Sequence, residues 1–148
     1  MAAASFESSS PASPPPAWFR LAAAVALLWN AFGVAMYLSS VGLFGDPTAT
    51  LSASERAAAE SIPGWISAPF AIGTLAGLAG SLGLVLRKSW AVPVLIVSLV
   101  ALLVLEGWIL FLSGVAEVSG YAVPVAVILG AVLLAWLAVH ARRQGWLR

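Results

Sequence analysis

The sequence predicts an all-α fold: an integral membrane four-helix bundle, up-down-up-down, with a short external loop helix. Hydrophobic residues make up 61% of the chain and charged residues 9%, with a mean hydropathy of +1.01. Such a chain is too apolar to give a soluble domain a polar surface. Four apolar stretches also each approach the ~20 residues that a membrane-spanning helix needs. Helices satisfy their own backbone hydrogen bonds, as a segment in lipid must.

The first 17 residues differ from the rest in composition. They are rich in Ser, Ala and Pro and have no apolar periodicity, so they lack the means to bury a core. We expect residues 1–17 to be a disordered tail and residues 18–148 to form the transmembrane domain. A cleaved signal peptide is the alternative. It fits less well because the following apolar run is longer than a signal peptide's and only Arg20 precedes it as a basic residue.

The four predicted spans run from about residue 20 to 44, 64 to 86, 90 to 112 and 121 to 140. Pro63, Pro93 and Pro124 fall at or near the starts of the last three, where a missing backbone N–H costs little. Between the first two spans, Ser52 and Glu55 have the spacing of a capping box, which predicts a short helix. This loop is expected to join the spans, with a lid over a site as the alternative.

Basic residues predict the orientation. One side of a four-span chain carries only Arg56, and the other carries six basic residues: Arg20, Arg87, Lys88, Arg142, Arg143 and Arg148. Because basic residues near spans favour the cytoplasmic side, both termini are expected in the cytoplasm.

Tryptophans stand at the predicted span ends. An indole ring there keeps its apolar body near the acyl chains and its N–H near the headgroups. We therefore interpret four of them as interface anchors: Trp18, Trp65, Trp90 and Trp146. A sugar-stacking platform is the alternative for Trp65.

Small residues repeat along the second span. They are Gly73, Gly77, Gly80, Ser81 and Gly83, and their spacing indicates a face that another helix can approach closely. A phosphate-binding glycine loop is the alternative. Such a loop follows a strand and recruits a lysine, whereas this segment lies inside an apolar span.

Three polar side chains inside the spans form a candidate polar pocket. Asn30 is expected to hydrogen-bond a neighbouring helix, with a solute ligand as the alternative. Glu106 is the only acid within a span, and a charge at mid-bilayer costs roughly 2.5 to 3.5 kcal/mol, so such acids usually face a partner or a pathway. Tyr37 lies at a similar depth, which predicts a phenol–carboxyl hydrogen bond if the two helices touch. The alternative for Glu106 is a protonated acid that serves only in packing.

Composition also weighs against several kinds of function. The chain has no cysteine and one histidine, His140, so metal sites built on these ligands lack partners, and no metal or cofactor is expected. His140 is interpreted as a boundary residue. The chain has no stripe of basic residues interleaved with aromatic residues, so nucleic acid is not expected as a partner. The chain also lacks an evident nucleophile, base and orienting group, so no enzyme is predicted.

Several motifs resemble those of a known family. The chain is similar to small four-span bacterial membrane proteins loosely labelled as sugar transporters, over about residues 20–105. The resemblance rests on LWNAFG at 28–33 with Tyr37, IPGW at 62–65, AIG at 71–73 and the glycine-rich second span through Arg87, and AVP at 91–93 with SL at 98–99. It implies a bacterial cytoplasmic membrane location. Members often carry an aspartate just before the tyrosine, where this chain has Met36, which suggests that the carboxylate has moved to Glu106 within one outer pocket.

Two functions follow. A non-enzymatic helix-packing or accessory subunit of a membrane assembly is favoured, because the best signal is a helix-association face. The alternative is a small-solute, sugar-like or proton-coupled transporter. Because four helices are few for a transporter, it would act as an oligomer. The expected partners are the lipid bilayer and a second copy or a larger membrane complex, and the transporter alternative adds a small-molecule solute.

Overall fold

The computed structural model describes residues 14–148, and every regular element in that range is helical. The helices are α1 (Ala17–Ser40), α2 (Ala53–Glu60), α3 (Ser67–Val85), α4 (Ala91–Phe111), α5 (Val115–Ser119) and α6 (Ala122–Arg143). A single 3₁₀ turn, Gly64–Ile66, leads into α3. Four helices are long and apolar enough to cross a membrane. They pack against one another, so the predicted all-α four-helix fold is confirmed.

A proline and a capping box define two helix starts. Pro16 has an extended backbone, and α1 begins immediately after it at Ala17, the last residue of the predicted tail. Residues 1–13 of that tail lie outside the described residues. At α2, the Ser52 hydroxyl accepts a hydrogen bond from the Glu55 N–H at 3.3 Å. The Glu55 carboxylate accepts one from the Ser52 N–H at 2.9 Å, so the predicted capping box is confirmed.

The first long helix ends at Ser40, four residues before the predicted end of the span. Gly42 has φ +80°, which glycine adopts without the strain that a Cβ atom causes. Its N–H donates to Ser39 O at 3.0 Å, and the next N–H, of Leu43, donates to Leu38 O at 3.0 Å. These paired bonds form a Schellman motif, which terminates the helix. The 24 residues of α1 have a helical length of about 36 Å at 1.5 Å per residue.

The long helices follow a simple packing order. α3 lies between α1 and α4 and contacts both, and α4 also packs against α6. The two short helices, α2 and α5, contact each other. We call the end of the bundle that carries α2 and α5 the loop end. The opposite end contains the start of α1, the turn between α3 and α4, and the end of α6. We call it the basic end.

Two groups of buried apolar residues hold the helices together. At the basic end, one group joins all four long helices and the C-terminal segment, and it includes Phe19, Leu84, Leu95, Ala138 and Leu147. Nearer the loop end, Ile66, Leu102 and Leu105 form a smaller group. Many large apolar side chains remain on the outer surface, including Phe32, Val123 and Leu133. Such a surface suits contact with lipid rather than water, as expected for a multi-pass membrane protein.

Candidate functional site

Asn30 links two helices inside the bundle. It is buried on α1, and its Nδ2 donates to Ser81 Oγ on α3 at 2.9 Å and to Ala26 O at 2.9 Å. Ser81 donates its own proton to Gly77 O at 2.7 Å. Because the hydroxyl proton is committed there, Ser81 Oγ must accept from Asn30. This fixes the amide so that Nδ2 faces Ser81 and Oδ1 faces away.

The small residues of α3 lie where other side chains approach most closely. A methyl group at Gly77 would overlap Asn30 Oδ1 and lie 3.1 Å from Ser98 Oγ. At Gly73 and Gly80 it would lie 2.7 Å and 2.5 Å from the leucines of α4, Leu102 and Leu95. At Gly83 the closest atom is the Cβ of Ala91, at 2.9 Å. Because α3 has no side chains at these positions, side chains of α1 and α4 can pack directly against its backbone.

Another buried hydrogen bond joins α3 and α4. Ser98 Oγ donates to Gly73 O at 2.6 Å, and both groups are buried. Thr74 is also buried, and its hydroxyl bonds back to Phe70 O at 2.9 Å within α3. Neither Ser98 nor Thr74 was predicted to be an interior polar residue. For Ser98 a signal existed, because it is the only polar residue of α4 before Glu106.

The interior cavity beside this cluster is small. It measures about 30 Å³ and lies among α1, α4 and α6, with Asn30 and Ser98 as its polar lining residues. That volume suits a water-sized molecule. Pockets for small organic ligands measure about 300 to 1,000 Å³. A sugar-sized solute therefore does not fit between Asn30 and Ser98 in a single copy of the chain.

Glu106 and Tyr37 are not brought together. Glu106 is 7% exposed on α4, and the hydrogen bonds of residues 14–148 include none to its carboxyl group. The Tyr37 ring instead packs edge-on against Phe70 of α3, with centroids 5.4 Å apart. The predicted phenol–carboxyl bond does not form, because Tyr37 packs on α3 while Glu106 lies on α4, which packs mainly against α3 and α6.

Met36 does not share a surface with Glu106 either. Its side chain is 51% exposed on the outside of α1, whereas Glu106 is buried. The hypothesis that a carboxylate moved from position 36 to position 106 within one pocket is therefore wrong. Equal depth in the membrane leaves the direction of each side chain undetermined.

The outer surface between α3 and α4 forms a groove, which we call the α3–α4 groove. It has a volume of about 530 Å³, and its lining is almost entirely apolar. The lining residues are Trp65, Ala68, Pro69, Ile72, Ile96, Val97, Val100, Ala101 and Val104. Trp65 also contacts Trp108 edge-on, with ring centroids 6.2 Å apart. Its indole thus belongs to an apolar surface at one end of the groove.

Aromatic rings cluster at the basic end. Trp18 and Trp146 meet edge-on at 5.6 Å, and Trp90 is partly exposed directly before α4. His140 lies in the last turn of α6, where its ring stacks on Trp136 at 5.2 Å and meets Trp146 edge-on at 5.6 Å. Within residues 14–148, no group of three or more His, Cys, Asp or Glu side chains is placed to hold a metal ion.

No protein-family model, curated protein or solved structure matches this chain. The resemblance to four-span sugar-transporter-like proteins therefore stays a prediction based on the motifs of residues 20–105. The candidate site is defined by its own geometry: a satisfied polar cluster in the interior, an isolated buried acid and a large apolar groove outside.

Proposed function

We propose that this protein is a non-enzymatic accessory subunit of a membrane assembly, and that it binds an apolar transmembrane helix of its partner in the α3–α4 groove. The observation that carries this proposal is the contrast between the α3–α4 groove, of about 530 Å³ on the outer surface, and the cavity of about 30 Å³ beside Asn30 and Ser98. A surface that small residues such as Ala68 and Ala101 leave open suits close helix approach.

The interior polar residues support the same proposal. Asn30, Ser81 and Ser98 make hydrogen bonds within the bundle, so they act between helices of this chain. Bonds of this kind in membranes contribute roughly 0.6 to 2 kcal/mol each. They favour a stable helical unit that presents its outer surface to a partner.

The proposed setting is the bacterial cytoplasmic membrane, with both termini in the cytoplasm. Six basic residues at the basic end, against Arg56 at the loop end, favour this orientation. The bacterial origin comes from the family resemblance of residues 20–105.

A pull-down in mild detergent tests the accessory role. Ala68 lines the groove and is exposed, so Ala68→Leu fills the groove without altering the core. Ala24 is exposed on α1 away from the groove, and Ala24→Leu adds the same volume there as the matched control. We expect the tagged wild-type chain and Ala24→Leu to co-purify with a membrane partner, and Ala68→Leu to lose most of it.

The same experiment can contradict the proposal. Elution of the wild-type chain alone, or equal recovery of a partner with both variants, would show that the groove is not its binding surface. Recovery of only a second copy of this chain would replace the accessory role with self-association.

A second candidate function is proton-coupled or small-solute transport by an oligomer. The observation that favours it is Glu106, a buried acid in a span without a hydrogen bond to residues 14–148, since intramembrane acids often lie on solute or proton pathways. Uptake into proteoliposomes that is lost in Glu106→Gln and kept in Glu117→Gln would support it. Glu117 is the control because it is exposed on α5, outside the four long helices. Transport by this protein would be excluded if proteoliposomes took up none of a panel of sugars, either with or without an imposed proton gradient.

A further inference from the structure

The turn between α3 and α4 contains an arginine where glycine is usual. The Arg87 N–H donates to Leu84 O at 3.0 Å and the Lys88 N–H to Gly83 O at 2.8 Å. These two bonds define a Schellman motif, whose left-handed position usually holds glycine. Arg87 occupies it with φ +59°. A residue with a Cβ atom in this conformation costs free energy, and such positions concentrate at functional sites.

Arg87 is held in place by the C-terminal segment. Its Nε donates to Trp146 O at 3.1 Å, and its carbonyl accepts from the Arg148 N–H at 2.7 Å. The Ser89 N–H donates to Arg148 O at 2.8 Å. The segment after α6 is thereby tied to the turn, which places the basic residues of both segments at one end of the bundle.

This end carries a concentrated positive charge. Its basic residues are Arg20, Arg87, Lys88, Arg142, Arg143 and Arg148. Within residues 14–148 the acidic residues are Asp46, Glu55, Glu60, Glu106 and Glu117. None of these acids lies at the basic end: Glu106 is in the part of α4 nearer the loop end, and the others are in the loops or short helices there. Among the described residues, the turn and its neighbours thus gather cations without acidic side chains beside them.

The aromatic residues of this end place those cations at the depth of lipid phosphates. Trp18, Trp90 and Trp146 each lie two residues from a basic residue in the chain, and indole rings at span ends in membrane proteins lie at headgroup level. A cluster of Lys and Arg at that level attracts anionic lipids. Arginine adds bidentate hydrogen bonds to phosphate oxygens.

We infer that the basic end is a binding site for the phosphate headgroup of an anionic phospholipid, formed by the Arg87-Lys88 turn together with Arg142, Arg143 and Arg20. The strained turn and its bonds to residues 146–148 hold Arg87 and the C-terminal segment in place at this end. The net negative charge of the lipid distinguishes it from a zwitterionic phospholipid that also carries a phosphate.

Native mass spectrometry of the full-length chain in mild detergent tests this site. The protein is mixed with equal amounts of phosphatidylglycerol and phosphatidylcholine, and the ratio of the two bound lipids is measured. We expect the wild-type chain to retain phosphatidylglycerol preferentially. Arg142→Gln and Lys88→Gln should each lower that preference up to about fivefold, the effect expected for one basic residue near the surface.

Two control variants separate charge from folding. Arg56→Gln removes the same charge at the loop end and should leave the lipid ratio unchanged. Arg142→Lys keeps the charge and should retain most of the preference, while gel filtration and circular dichroism report whether each variant is folded.

Three outcomes would overturn the proposal. The first is equal binding of the two lipids by the wild-type chain. The second is a lipid ratio that Arg56→Gln lowers as much as Arg142→Gln does. The third is loss of the preference in inorganic phosphate but not in sodium chloride of the same ionic strength, which would identify a free-phosphate site instead of a lipid site.

Discussion

The side-chain amide of Asn30 on α1 donates a hydrogen bond of 2.9 Å to the hydroxyl oxygen of Ser81 on α3. Among residues 14–148 it is the buried side-chain hydrogen bond that joins these two helices, and the Ser81 hydroxyl in turn donates to Gly77 O of the α3 backbone at 2.7 Å. One amide and one hydroxyl group therefore link two helices at positions 51 residues apart in the chain.

The contribution of this bond can be isolated by a double-mutant cycle. We expect Asn30→Ala and Ser81→Ala each to lower the free energy of unfolding, with a coupling energy of roughly 0.6 to 1.7 kcal/mol, the range measured for such bonds in membranes. Unfolding by sodium dodecyl sulfate in mixed micelles provides the measurement. Additive effects of the two changes would show that the bond contributes no coupling.

Gly77 is predicted to tolerate no side chain. A methyl group there overlaps Asn30 Oδ1 and approaches Ser98 Oγ, and both neighbours are held by hydrogen bonds. Gly77→Ala should therefore destabilise the fold by about 1 to 3 kcal/mol. Gly107→Ala is the matched control, since Gly107 lies in a long helix with no atom within 4 Å of an added methyl group. Equal stability of the two variants in the same unfolding assay would contradict this packing.

The capping box makes the stability of α2 depend on pH. Hydrogen bonds from Ser52, first from its hydroxyl and then from its backbone N–H, lower the pKa of Glu55. A carboxyl whose pKa is lower in the folded state stabilises that state above its unfolded pKa and loses this contribution as the pH falls through the folded value. We therefore expect α2 to open more readily as the pH drops below about 4.5, the ordinary value for glutamate.

Amide hydrogen exchange of α2, measured between pH 3 and pH 7 and corrected for intrinsic rates, checks this dependence. Glu55→Gln should remove the part that comes from the cap. Glu60→Gln, at the last position of the same helix, should retain it. A pH dependence that persists in full in Glu55→Gln would assign the effect to another group.

Arg87 offers a test of strain against side-chain contact. Arg87→Gly removes both the guanidinium bond to Trp146 O and the strain of a left-handed residue. Arg87→Ala removes the bond but keeps the strain. Because the left-handed conformation costs about 1 to 2 kcal/mol for a residue with a Cβ atom, the glycine variant should be the more stable of the two by about that amount. Thermal unfolding in mild detergent ranks them, and an alanine variant as stable as the glycine variant would argue against strain at this turn.

Much of the helical framework is predictable because it depends on local properties. The apolar stretches, the prolines in first turns and the Ser52–Glu55 spacing each act within a few residues, so they predict four long helices and a capped short one. The end of α1 was predicted too late because Phe44 continues the apolar run, whereas Gly42 stops the helix through its backbone conformation. Residues Val115–Ser119 were not predicted as a helix, since five residues carry too little periodicity.

The candidate site was only partly predictable. Asn30 was expected to hydrogen-bond a neighbouring helix, and residue chemistry alone supports that expectation, because an amide in hydrocarbon needs a partner. Its partner could not be named. For Glu106 and Tyr37, too, the sequence predicted a similar depth in the membrane but not which residues each side chain contacts.

The sequence by itself determined that this is a helical membrane protein, where its spans lie and which of its residues are too polar to face lipid. Hydropathy and helix-terminating signals depend on residues that are close together in the chain. They can therefore be identified without knowing which helices contact one another. Only the tertiary structure decided that Tyr37 packs against Phe70 rather than Glu106, that Ser81 accepts the hydrogen bond of the Asn30 amide, and that the C-terminal segment bonds to Arg87. These relationships depend on the rotation and order of the helices, which are set by close packing of small residues such as Gly77 and Gly80 across interfaces that no local pattern specifies.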